Sequence, residues 1–529
     1  MEDAVTELPF TPRRALLSVS DKRGLVELGQ RLIQHGIEII ATGNTAASLR
    51  AAGITVTEVS ERTGFPEIMD GRVKTLHPAI HAALLARGEQ DHAILEAQGI
   101  TPIDLVIVNL YPFEQTVSQS YCTLDDAIAT IDIGGPTMIR AAAKNHEHVA
   151  VIVSPEDYDA LEQYLSLNKM PADWRLTLAK KAFAHTAAYD AAISNYLNSL
   201  DDNKKTAPFP TVFSTQFQQC YELRYGENPH QQAAFYANKQ AASDSLAKAR
   251  LLQGKPLSYN NLLDADAALD CVKALDRNTP ACVIVKHGNP CGIAARDTLI
   301  QAYQRAFETD PTSSFGGILA FNYPVDEETA QRIIDNQFAE VLIAPAFSEQ
   351  AKAVLLTKPN VRVLATGQFN DHPQPEFSLR TLSGGLLVQD SDHRFIRPDE
   401  LKAVTQRQPT PDEWKDLLFA WQAVKYVKSN AIVFAKEQAT VGIGAGQTSR
   451  VMSTRIAAWQ AEQAGFSLQG AVMASDAFIP FADNIEIAAK AGVTAIIQPG
   501  GSLRDQQVID AANAANLTMI FTGIRHFRH

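Results

Sequence analysis

A lysine and a histidine stand side by side at the end of an apolar segment in the second part of the chain. Residues 283–285 are a β-branched run that predicts a buried strand, and Lys286 and His287 follow it directly. Gly288 and Pro290 then break the pattern. A lysine can stabilise an oxyanion or protonate a leaving nitrogen, and a histidine can accept a proton from a weak amine nucleophile. The pair suits acyl transfer, although taken alone a strand end with two surface polar groups is the better explanation.

Polar groups also follow three predicted strands in the first 200 residues. Residues 18–22 close the first strand with hydroxyls and a cation, residues 42–45 join the second strand to a helix, and Asn109 and Tyr111 follow a third. Ligands of open α/β sheets gather at the carboxyl ends of strands, and amides at the start of a helix can hold a phosphate. These groups favour a phosphorylated ligand, although a helix cap without a ligand explains residues 42–45 equally well.

A basic loop and a glycine pair supply further candidates. Residues 71–78 contain two cations and a hydroxyl, a pattern that a solvated loop explains as well as a binding site does. The glycine pair that follows Asp132 opens a predicted helix and lets the backbone approach a ligand closely. Together with Lys74, Tyr111 and Lys144, Asp132 offers acids and bases that need neither a metal nor a cofactor.

Several polar segments of the later sequence lie outside any regular pattern. Residues 221–231 are rich in polar residue types that commonly bind ligands, which predicts a functional loop. Residues 258–264 are predicted to cap a helix. Residues 442–450 are a glycine loop that leads into an arginine. The other parts of a dinucleotide site are missing downstream, which favours phosphate or carboxylate binding. Phe478 fits either an aromatic wall beside a flat ligand or plain core, and the aromatic, basic segment 522–529 is unlike a frayed tail.

The elements that position these groups alternate between strand and helix, which predicts an α/β fold with a parallel sheet and helices on both faces in the first domain. Helices are predicted at 25–34, 175–200, 412–427 and 449–464, and a further helix follows residues 42–45 and ends before Gly53. Strands are predicted at 15–19, 37–41, 105–108, 149–153, 282–285, 317–321, 341–343, 432–435, 441–443, 472–474, 495–497 and 519–521.

The predicted boundaries are 1–200 for the first domain, 201–210 for a polar linker with two prolines and 211–529 for the second domain. A weak echo between the neighbourhoods of Lys286 and Lys425 predicts two related subdomains, split near 385–410.

Bulk properties argue against several classes of function. The chain has 529 residues, too many for one core, and a net charge of -12 from 47 basic and 59 acidic side chains, which argues against nucleic-acid and membrane partners. Five cysteines without a Cys-x-x-Cys and an acidic N-terminal segment without an apolar core predict a reduced, cytoplasmic protein. No run of apolar residues approaches the length of a membrane span.

His77 and His81 have metal-ligand spacing, but no nearby residues complete a set of metal ligands, so no metal is expected.

A series of motifs in one order carries a resemblance to a known family. The motifs are SVSDK (18–22), ATGNT (41–45), GRVKTLHP (71–78), NLYPF (109–113), DIGGPTMIRAAAKN (132–145), LRYGENPHQ (223–231), VKHGNPCG (285–292), SSFGG (313–317), KYVKSN (425–430), GIGAGQTSR (442–450), SDAFIPFADN (475–484) and RHFRH (525–529). Over nearly its full length the chain resembles the bifunctional purine-biosynthesis enzymes of the PurH family, which combine an AICAR transformylase with an IMP cyclohydrolase.

The resemblance implies a fold, substrates and an assembly. It implies a methylglyoxal-synthase-like domain followed by a transformylase built from two cytidine-deaminase-like subdomains. It also implies a homodimer with transformylase sites at the subunit interface. The co-substrate would be 10-formyltetrahydrofolate, and the other small molecules would be AICAR (aminoimidazole carboxamide ribonucleotide), formyl-AICAR and IMP. Because the zinc-ligand pattern of deaminases is missing, no zinc is expected.

The resemblance also implies roles for individual residues. The nucleotide of the cyclohydrolase would contact Ser20, Asp21, Lys22, Thr42, Gly43, Asn44, Thr45, Arg72, Thr75, Asn109 and Asp132. Lys144 would be the main proton-transfer residue there, assisted by Lys74, Tyr111 and Asp132. In the transformylase, His287 would be the general base and Lys286 the oxyanion stabiliser. The substrates would contact Arg224, Tyr225, Asn261, Gly316, Glu340, Asn430, Arg450, Val451, Phe478, Asp483, Asn484, Gly500, Gly501 and Arg525, with Val451 on the folate side.

Two other interpretations remain open at this point. One is a methylglyoxal-synthase-like lyase fused to an unrelated domain, which the long second part with Lys286 and His287 disfavours. The other is a nucleotide-binding regulator without catalysis, in which the phosphate-binding groups sense purine levels. Folate-dependent turnover separates the regulator from the enzyme.

Overall fold

Apolar strands that alternate with amphipathic helices build the first of two units, Met1–Gln216 and Phe217–His529. The structure is a computed structural model that describes residues 10–69, 71–370 and 377–529. Most of the acidic N-terminal segment therefore lies outside the described residues. The predicted linker 201–210 is irregular chain at the end of the first unit.

The first unit contains five strands and ten helices among its described residues. The strands are β1 (Arg14–Val19), β2 (Glu38–Ala41), β3 (Thr57–Glu58), β4 (Leu105–Asn109) and β5 (Ala150–Ile152). The helices are α1 (Leu25–Gln34), α2 (Gly43–Ala51), α3 (Val59–Thr63), α4 (Pro78–Leu85), α5 (Glu89–Ala97), α6 (Phe113–Val117), α7 (Leu124–Ala129), α8 (Gly134–Lys144), α9 (Tyr158–Ser166) and α10 (Ala172–Asn198).

The strands of the first unit form one sheet in the order β3-β2-β1-β4-β5, and every neighbouring pair is parallel. The predicted parallel sheet is confirmed. Helix α1 shows how the sequence builds its layers, because Leu25, Leu28 and Leu32 recur at helical spacing and all three are buried. Parallel strands bring the groups that follow β1, β2 and β4 to one edge, which we call the carboxyl edge.

The second unit contains two small hairpins and one large sheet among its described residues. The strands are β6 (Gln218–Leu223), β7 (Ala233–Ala237), β8 (Arg250–Gln253), β9 (Ala281–Lys286), β10 (Asn289–Ala295), β11 (Ile318–Phe321), β12 (Val341–Ala344), β13 (Arg362–Ala365), β14 (Phe377–Leu382), β15 (Gly385–Asp390), β16 (Lys402–Ala403), β17 (Ile432–Lys436), β18 (Ala439–Gly444), β19 (Val472–Ser475), β20 (Ala495–Gln498) and β21 (Thr518–Phe521). The helices are α11 (Tyr259–Lys273), α12 (Leu299–Thr309), α13 (Pro311–Ser314), α14 (Glu327–Asn336), α15 (Glu349–Leu355), α16 (Pro411–Val424), α17 (Arg450–Gln463), α18 (Asp483–Lys490) and α19 (Asp505–Ala514).

The large sheet has twelve strands in the order β16-β21-β20-β19-β17-β18-β10-β9-β11-β12-β13-β8. We call residues 244–370 half 1 and residues 392–529 half 2. In half 1, β9 is antiparallel to β10 and β11, and β11, β12 and β13 are parallel. Half 2 repeats this pattern, with β17 antiparallel to β18 and β19, and β19, β20 and β21 parallel. The second unit is therefore built from two topologically equivalent halves.

The strand that follows Lys286 corrects the sequence interpretation. Gly288 and Pro290 were expected to end the strand region, but β10 begins at Asn289 and pairs with β9 through a two-residue turn. His287 and Gly288 both have positive φ, 54° and 70°, as such tight turns require. Pro290 fits into β10 because the register shifts between Pro290 and Gly292.

The sequence similarity between the neighbourhoods of Lys286 and Lys425 aligned the two halves incorrectly. The structure aligns the β9–β10 turn with the turn between β17 and β18, formed by Glu437 and Gln438, and not with the segment near Lys425. Both residues of that second turn also have positive φ, 52° and 51°. The two turns differ in sequence, so a search for similar residues could not find their equivalence.

Glycines let a helix pack tightly on the central strands of each half. A side chain at Gly292 of β10 would overlap the Ala306 carbonyl of α12, and one at Gly442 of β18 would overlap the Ala457 carbonyl of α17. Because the obstructing atoms belong to the backbone of a helix, they have little freedom to move.

Among the described residues, no helix combines the length and apolar composition needed to cross a bilayer.

We predict that Gly442→Ala destabilises the second unit by about 1–3 kcal/mol, because its Cβ forces α17 away from β18. The matched control is Gly385→Ala, since no atom lies within 4 Å of a side chain at that position. Scanning calorimetry of both full-length variants measures the effect as a lower Tm. Equal transitions for the two variants would contradict the packing argument.

Candidate active sites

Asn109 ties two neighbouring strands together at the carboxyl edge of the first unit. It ends β4, and its Oδ1 accepts hydrogen bonds from the backbone amides of Ser20 at 2.6 Å and Asp21 at 2.8 Å, just beyond β1. Partial burial lowers the pKa of the Lys22 ammonium, and the charge of Lys74 lowers that pKa further. The segment after β1 and the basic loop 71–78 therefore bring two cations close together.

The start of α2 differs from the expected phosphate cradle in one respect. The Thr42 hydroxyl lies 3.0 Å from the Ser18 hydroxyl, and the Thr45 hydroxyl accepts the Val19 amide at 3.0 Å. Both threonines are buried, so their hydroxyls connect α2 to β1 and do not line an open site. An anion at this point would have to be held by the amides at the start of α2, together with nearby cations.

Lys74 is one of those cations. A Cβ atom at Gly43 would lie 3.8 Å from the Lys74 ammonium and 3.7 Å from the Glu67 carboxylate. The lysine therefore reaches the first turn of α2, where Asn44 is exposed. Arg72, from the same loop, is also exposed.

Asp132 lies at the start of α8, close to the same lysine. Its Oδ1 accepts the Gly135 amide at 2.8 Å. Burial raises the pKa of the Asp132 carboxyl, and the Gly135 amide and the Lys74 charge partly offset that rise. A side chain at Gly134 would overlap the Thr75 hydroxyl, so Thr75 also lies at this helix start. The structure thus brings together Lys74, Thr75 and Asp132, an acid–base group without a metal ligand set.

Lys144 is separated from this group. It is the last residue of α8, about 15 Å along the helix axis from Gly134. The helix leads from the carboxyl edge back to the start of β5, so the exposed Lys144 lies toward the opposite edge of the sheet. Tyr111, by contrast, follows β4 at the carboxyl edge and is exposed.

In the second unit, an aspartate of α11 holds the turn that carries the lysine–histidine pair. Asp264 accepts the His287 amide on Oδ2 at 3.0 Å and the Gly288 amide on Oδ1 at 2.7 Å. The Lys286 ammonium donates to the Phe315 carbonyl at 2.9 Å, while His287 is exposed. The turn is therefore fixed from behind, and the imidazole faces outward. The sequence indicated a helix cap at 258–264 but not that Asp264 holds this turn.

A second lysine lies beside the turn. The Lys428 ammonium is 3.8 Å from the position of a Cβ atom at Gly288, and the Lys428 amide donates to Asn289 Oδ1 at 3.0 Å. Lys428 was part of a recognised motif, but nothing in the sequence indicated that it lies beside the β9–β10 turn. The turn therefore has a lysine on either side, Lys286 and Lys428, which favours an anionic ligand there.

A buried ion pair organises the adjacent strand ends of half 2. Arg450 and Asp476 form an ion pair, with side chains only 7% and 0% exposed. Arg450 also donates to Asn430 Oδ1 at 2.8 Å and to Ser475 Oγ at 3.0 Å. Ser429 donates to Asp476 Oδ2 at 2.5 Å. Since protein groups already satisfy much of the guanidinium, Arg450 acts here mainly as an anchor for Asn430.

Other expected residues lie at the same edge of the large sheet, where β9 ends and β17 begins; we call it the His287 edge. Phe478 and Asp483 are exposed, whereas Asn484 is buried and accepts the Thr454 hydroxyl at 2.8 Å. Gly500 has a φ of 70°, and a side chain there would overlap the Phe521 ring. The His287 edge also carries Val451 at the start of α17, Gly501 after β20 and Arg525 after β21.

Gly316 and Glu340 form a separate group on the same edge. Glu340 pairs with Arg362 at 2.7 Å and directly precedes β12. Asn430 lies two residues before β17, which is five strand positions from β12. At about 4.8 Å per strand, the two groups are about 24 Å apart across the sheet. One nucleotide cannot span that distance within one chain.

Three expected residues belong to the start of the second unit. The Arg224 guanidinium stacks on the Tyr225 ring, 4.6 Å from its centroid, and donates to its hydroxyl at 2.8 Å. Asn261 is buried and takes part in the capping box of α11, where its Oδ1 accepts the Ser258 amide at 3.1 Å. The capping role occupies at least part of the Asn261 side chain.

The two edges support different chemistry. The carboxyl edge of the first unit combines two cations with a carboxyl whose pKa is raised, which suits phosphate binding and proton transfer. The His287 edge combines an exposed imidazole with the lysines on either side of its turn, Lys286 and Lys428, which suits acyl transfer to an anionic substrate. No group of histidine, cysteine, aspartate and glutamate side chains able to hold a metal occurs among the described residues.

Two models of known protein families match this chain. The model of the AICARFT/IMPCHase bienzyme family matches residues 142–460, and the model of the MGS-like domain matches residues 24–137. A solved structure described as "Crystal structure of ForH" is 37% identical over 35% of this chain and 97% of its own, with a TM-score of 0.31. Because the first match alone covers more than half of the chain, this protein belongs to the AICARFT/IMPCHase family of bifunctional formyltransferases and IMP cyclohydrolases of purine biosynthesis.

Proposed function

We propose that the second unit transfers a formyl group from 10-formyltetrahydrofolate to AICAR and that the first unit closes formyl-AICAR to IMP. The observation that carries the first assignment is the turn held by Asp264, which presents His287 outward beside Lys286. The observation that carries the second is the group of Lys74, Thr75 and Asp132 at the carboxyl edge.

Formyl transfer begins with attack of the AICAR amine on the formyl carbon. The amine is a weak nucleophile because its lone pair is delocalised into the ring and the carboxamide, so a general base is needed. His287 takes the amine proton as the new C–N bond forms. Lys286 stabilises the tetrahedral oxyanion. The bond from the formyl carbon to the folate nitrogen then breaks, that nitrogen takes up a proton, and formyl-AICAR and tetrahydrofolate result.

Ring closure is an intramolecular reaction, so the first unit mainly fixes the conformation of the substrate and moves protons. The carboxamide nitrogen attacks the formyl carbon, and water leaves. The amides at the start of α2, with Lys22 and Lys74, bind the phosphate, since they supply positive charge at one point of the edge. Asp132 exchanges protons with the reacting groups, assisted by Tyr111.

We further propose that formyl transfer takes place in a homodimer. The group around Glu340 and the group around Asn430 are about 24 Å apart across the sheet of one chain. If both contact the same AICAR molecule, the two groups come from different copies. The sheet geometry thus supports the shared sites that the family resemblance implies.

We predict that His287→Ala lowers kcat for formyl transfer by about 10²–10⁴-fold, since a general base contributes that much. Ring closure of supplied formyl-AICAR stays at the wild-type rate, because it takes place in the other unit. Release of tetrahydrofolate and formation of IMP, followed by absorbance, measure the two steps. Near-normal formyl transfer by this variant would remove the base assignment.

Asp132→Asn tests the other site and has a pH signature. Ring closure falls by about 10²-fold or more, while formyl transfer is spared. Because burial raises the pKa of Asp132 above its usual value, the charged form destabilises the folded protein at neutral pH. The penalty is complete above the raised pKa and disappears below the ordinary pKa. The Tm advantage of Asp132→Asn over the wild type should thus be greatest at pH 7 and shrink on acidification.

Lys144 is the residue on which the resemblance and the distances disagree, because it lies about 15 Å along α8 from Gly134. Lys144→Ala and Lys74→Ala are the informative pair. If Lys144→Ala abolishes ring closure and spares formyl transfer, Lys144 has the role that the resemblance implies. Ring closure that survives in Lys144→Ala but not in Lys74→Ala assigns the proton transfers to Lys74 and Asp132.

Mixed dimers test the shared site. Glu340→Ala and Asn430→Ala each remove formyl transfer from a dimer of identical chains. A mixed dimer, co-expressed with two different tags and purified through both, should regain about half of the wild-type activity, since one of its two sites contains neither substitution. A mixed dimer as inactive as its parents would mean that each site is built from one chain.

A further inference from the structure

Each half of the second unit contains a clamp made from an aspartate, a lysine and a residue that follows the last strand. In half 1, Asp244 accepts the Asn370 amide at 3.0 Å and its side-chain Nδ2 at 2.8 Å. Lys273, the last residue of α11, pairs with Asp244 at 3.1 Å. The clamp holds the chain that leaves β13.

Half 2 repeats this arrangement with a histidine in place of the asparagine. His526 Nδ1 lies 2.5 Å from Asp392 Oδ2. Lys425, directly after α16, pairs with Asp392 at 3.3 Å. Lys273 lies nine residues after Asp264, and Lys425 lies nine residues after Asp416. These two aspartates hold the hairpin turns of half 1 and half 2, so the two lysines are equivalent in position.

The strand exits that lead into the clamps are also equivalent. Thr366 donates its amide to the Ala344 carbonyl at 3.0 Å, and Thr522 donates to the Gln498 carbonyl at 3.0 Å. A glycine follows each threonine and bonds to a proline carbonyl of the neighbouring strand at 3.1 Å in half 1 and 3.0 Å in half 2. Asn370 and His526 each stand three residues after that glycine. The clamp is thus a duplicated part of the fold.

The clamp of half 2 differs in what it holds. His526 is 3% exposed, its ring packs against Trp421 at 5.1 Å, and its amide donates to the Asp476 carbonyl at 2.9 Å. Its two neighbours, Arg525 and Phe527, are exposed and contact each other at 4.6 Å. The buried His526 therefore fixes a segment whose exposed residues, Arg525 and Phe527, lie at the His287 edge.

The neighbours of Asp392 favour its ionised form. Burial raises the pKa of the Asp392 carboxyl, but the hydrogen bond from His526 and the charges of His526 and Lys425 outweigh burial and hold that pKa below its usual value. Asp270 and Arg528 are further charged groups near Lys425, and Lys273 and His393 lie near Asp270. Asp392 is therefore an anion with a buried histidine and lysine as partners.

We propose that His526 is a positioning residue of the formyltransferase: held by Asp392, it fixes the terminal segment so that Arg525 binds the anionic part of AICAR. The inference rests on the proposed function and on the contact between Arg525 and AICAR that the family resemblance implies. Half 1 supplies the comparison, because its clamp holds no arginine next to Asn370. In half 1 the clamp only holds the chain that leaves β13, whereas in half 2 the equivalent clamp also serves substrate binding.

Two substitutions of the same histidine separate positioning from packing. His526→Asn keeps a donor near the position of Nδ1, as Asn370 does in half 1, whereas His526→Gln moves the donor to the position of Nε2. Both lose the ring contact with Trp421. We expect His526→Gln to raise the KM for AICAR about tenfold with kcat within twofold, and His526→Asn to stay within about threefold of the wild-type KM. Equal KM values for the wild type and His526→Gln, or a loss confined to kcat, would overturn the proposal.

Asn370→Ala is the matched control, because it opens the clamp of half 1 and leaves the AICAR site untouched. It should lower the Tm without changing the KM for AICAR. A KM increase as large as that of His526→Gln would show that any opened clamp has this effect, and would overturn the specific role of His526.

Hydrogen exchange of the backbone amides of residues 523–528 gives a readout independent of turnover. These amides should exchange at least tenfold faster in His526→Gln than in the wild type, and at close to the wild-type rate in His526→Asn. Equal exchange in all three proteins would show that the clamp does not hold this segment. If the wild type transfers no formyl group, the proposed function fails, but the exchange rates still test the clamp.

Discussion

The second unit depends on the antiparallel contact between β10 and β18, which joins its two halves into one sheet. Ala294 and Ala439 are register partners, and Thr440 Oγ1 accepts the Ile293 amide at 2.9 Å. Thr309 donates its hydroxyl to the Thr440 carbonyl at 2.7 Å, so α12 is tied to the same point. Because the two strands are antiparallel, the hairpin turn of each half meets the carboxyl ends of the strands of the other half. The position of the β9–β10 turn beside Lys428 follows directly from this contact.

The duplicated scaffold shows how one geometry serves two purposes. Asp264 accepts two turn amides in half 1, and Asp416 accepts the amides of Glu437 and Gln438 in half 2 at 2.8 and 2.6 Å. The backbone of both turns is thus held in the same way. Only the first turn carries the histidine, so function in this fold depends on the side chains added to a repeated frame.

The two candidate sites obtain their charge in different ways. In the first unit, Lys22, which follows β1, and Lys74, from the loop 71–78, lie close enough for the charge of Lys74 to lower the pKa of Lys22. In the second unit, the buried pair of Arg450 and Asp476 is neutral as a whole and serves to hold Asn430. Lys428, by contrast, keeps its ammonium group exposed beside the β9–β10 turn.

The sequence by itself determined the local structure and the family. Helix α1 occurs at the predicted residues 25–34, because its leucines have a clear helical period, and the β-branched runs became strands. The predicted parallel sheet and the order of motifs needed no tertiary information either. Strand β10 was missed because Pro290 is a local signal against a strand, and only the paired β9 with its register shift makes that proline acceptable.

Tertiary structure decided which polar residues meet. Asp244 and Asn370 are 126 residues apart, and Asp392 and His526 are 134 residues apart, so no periodicity relates them. The same holds for the separation of Glu340 from Asn430 and of Lys144 from Asp132, which sheet order and helix length set. A sequence pattern reports the burial and period of each segment, whereas the choice among partners depends on how complete elements pack.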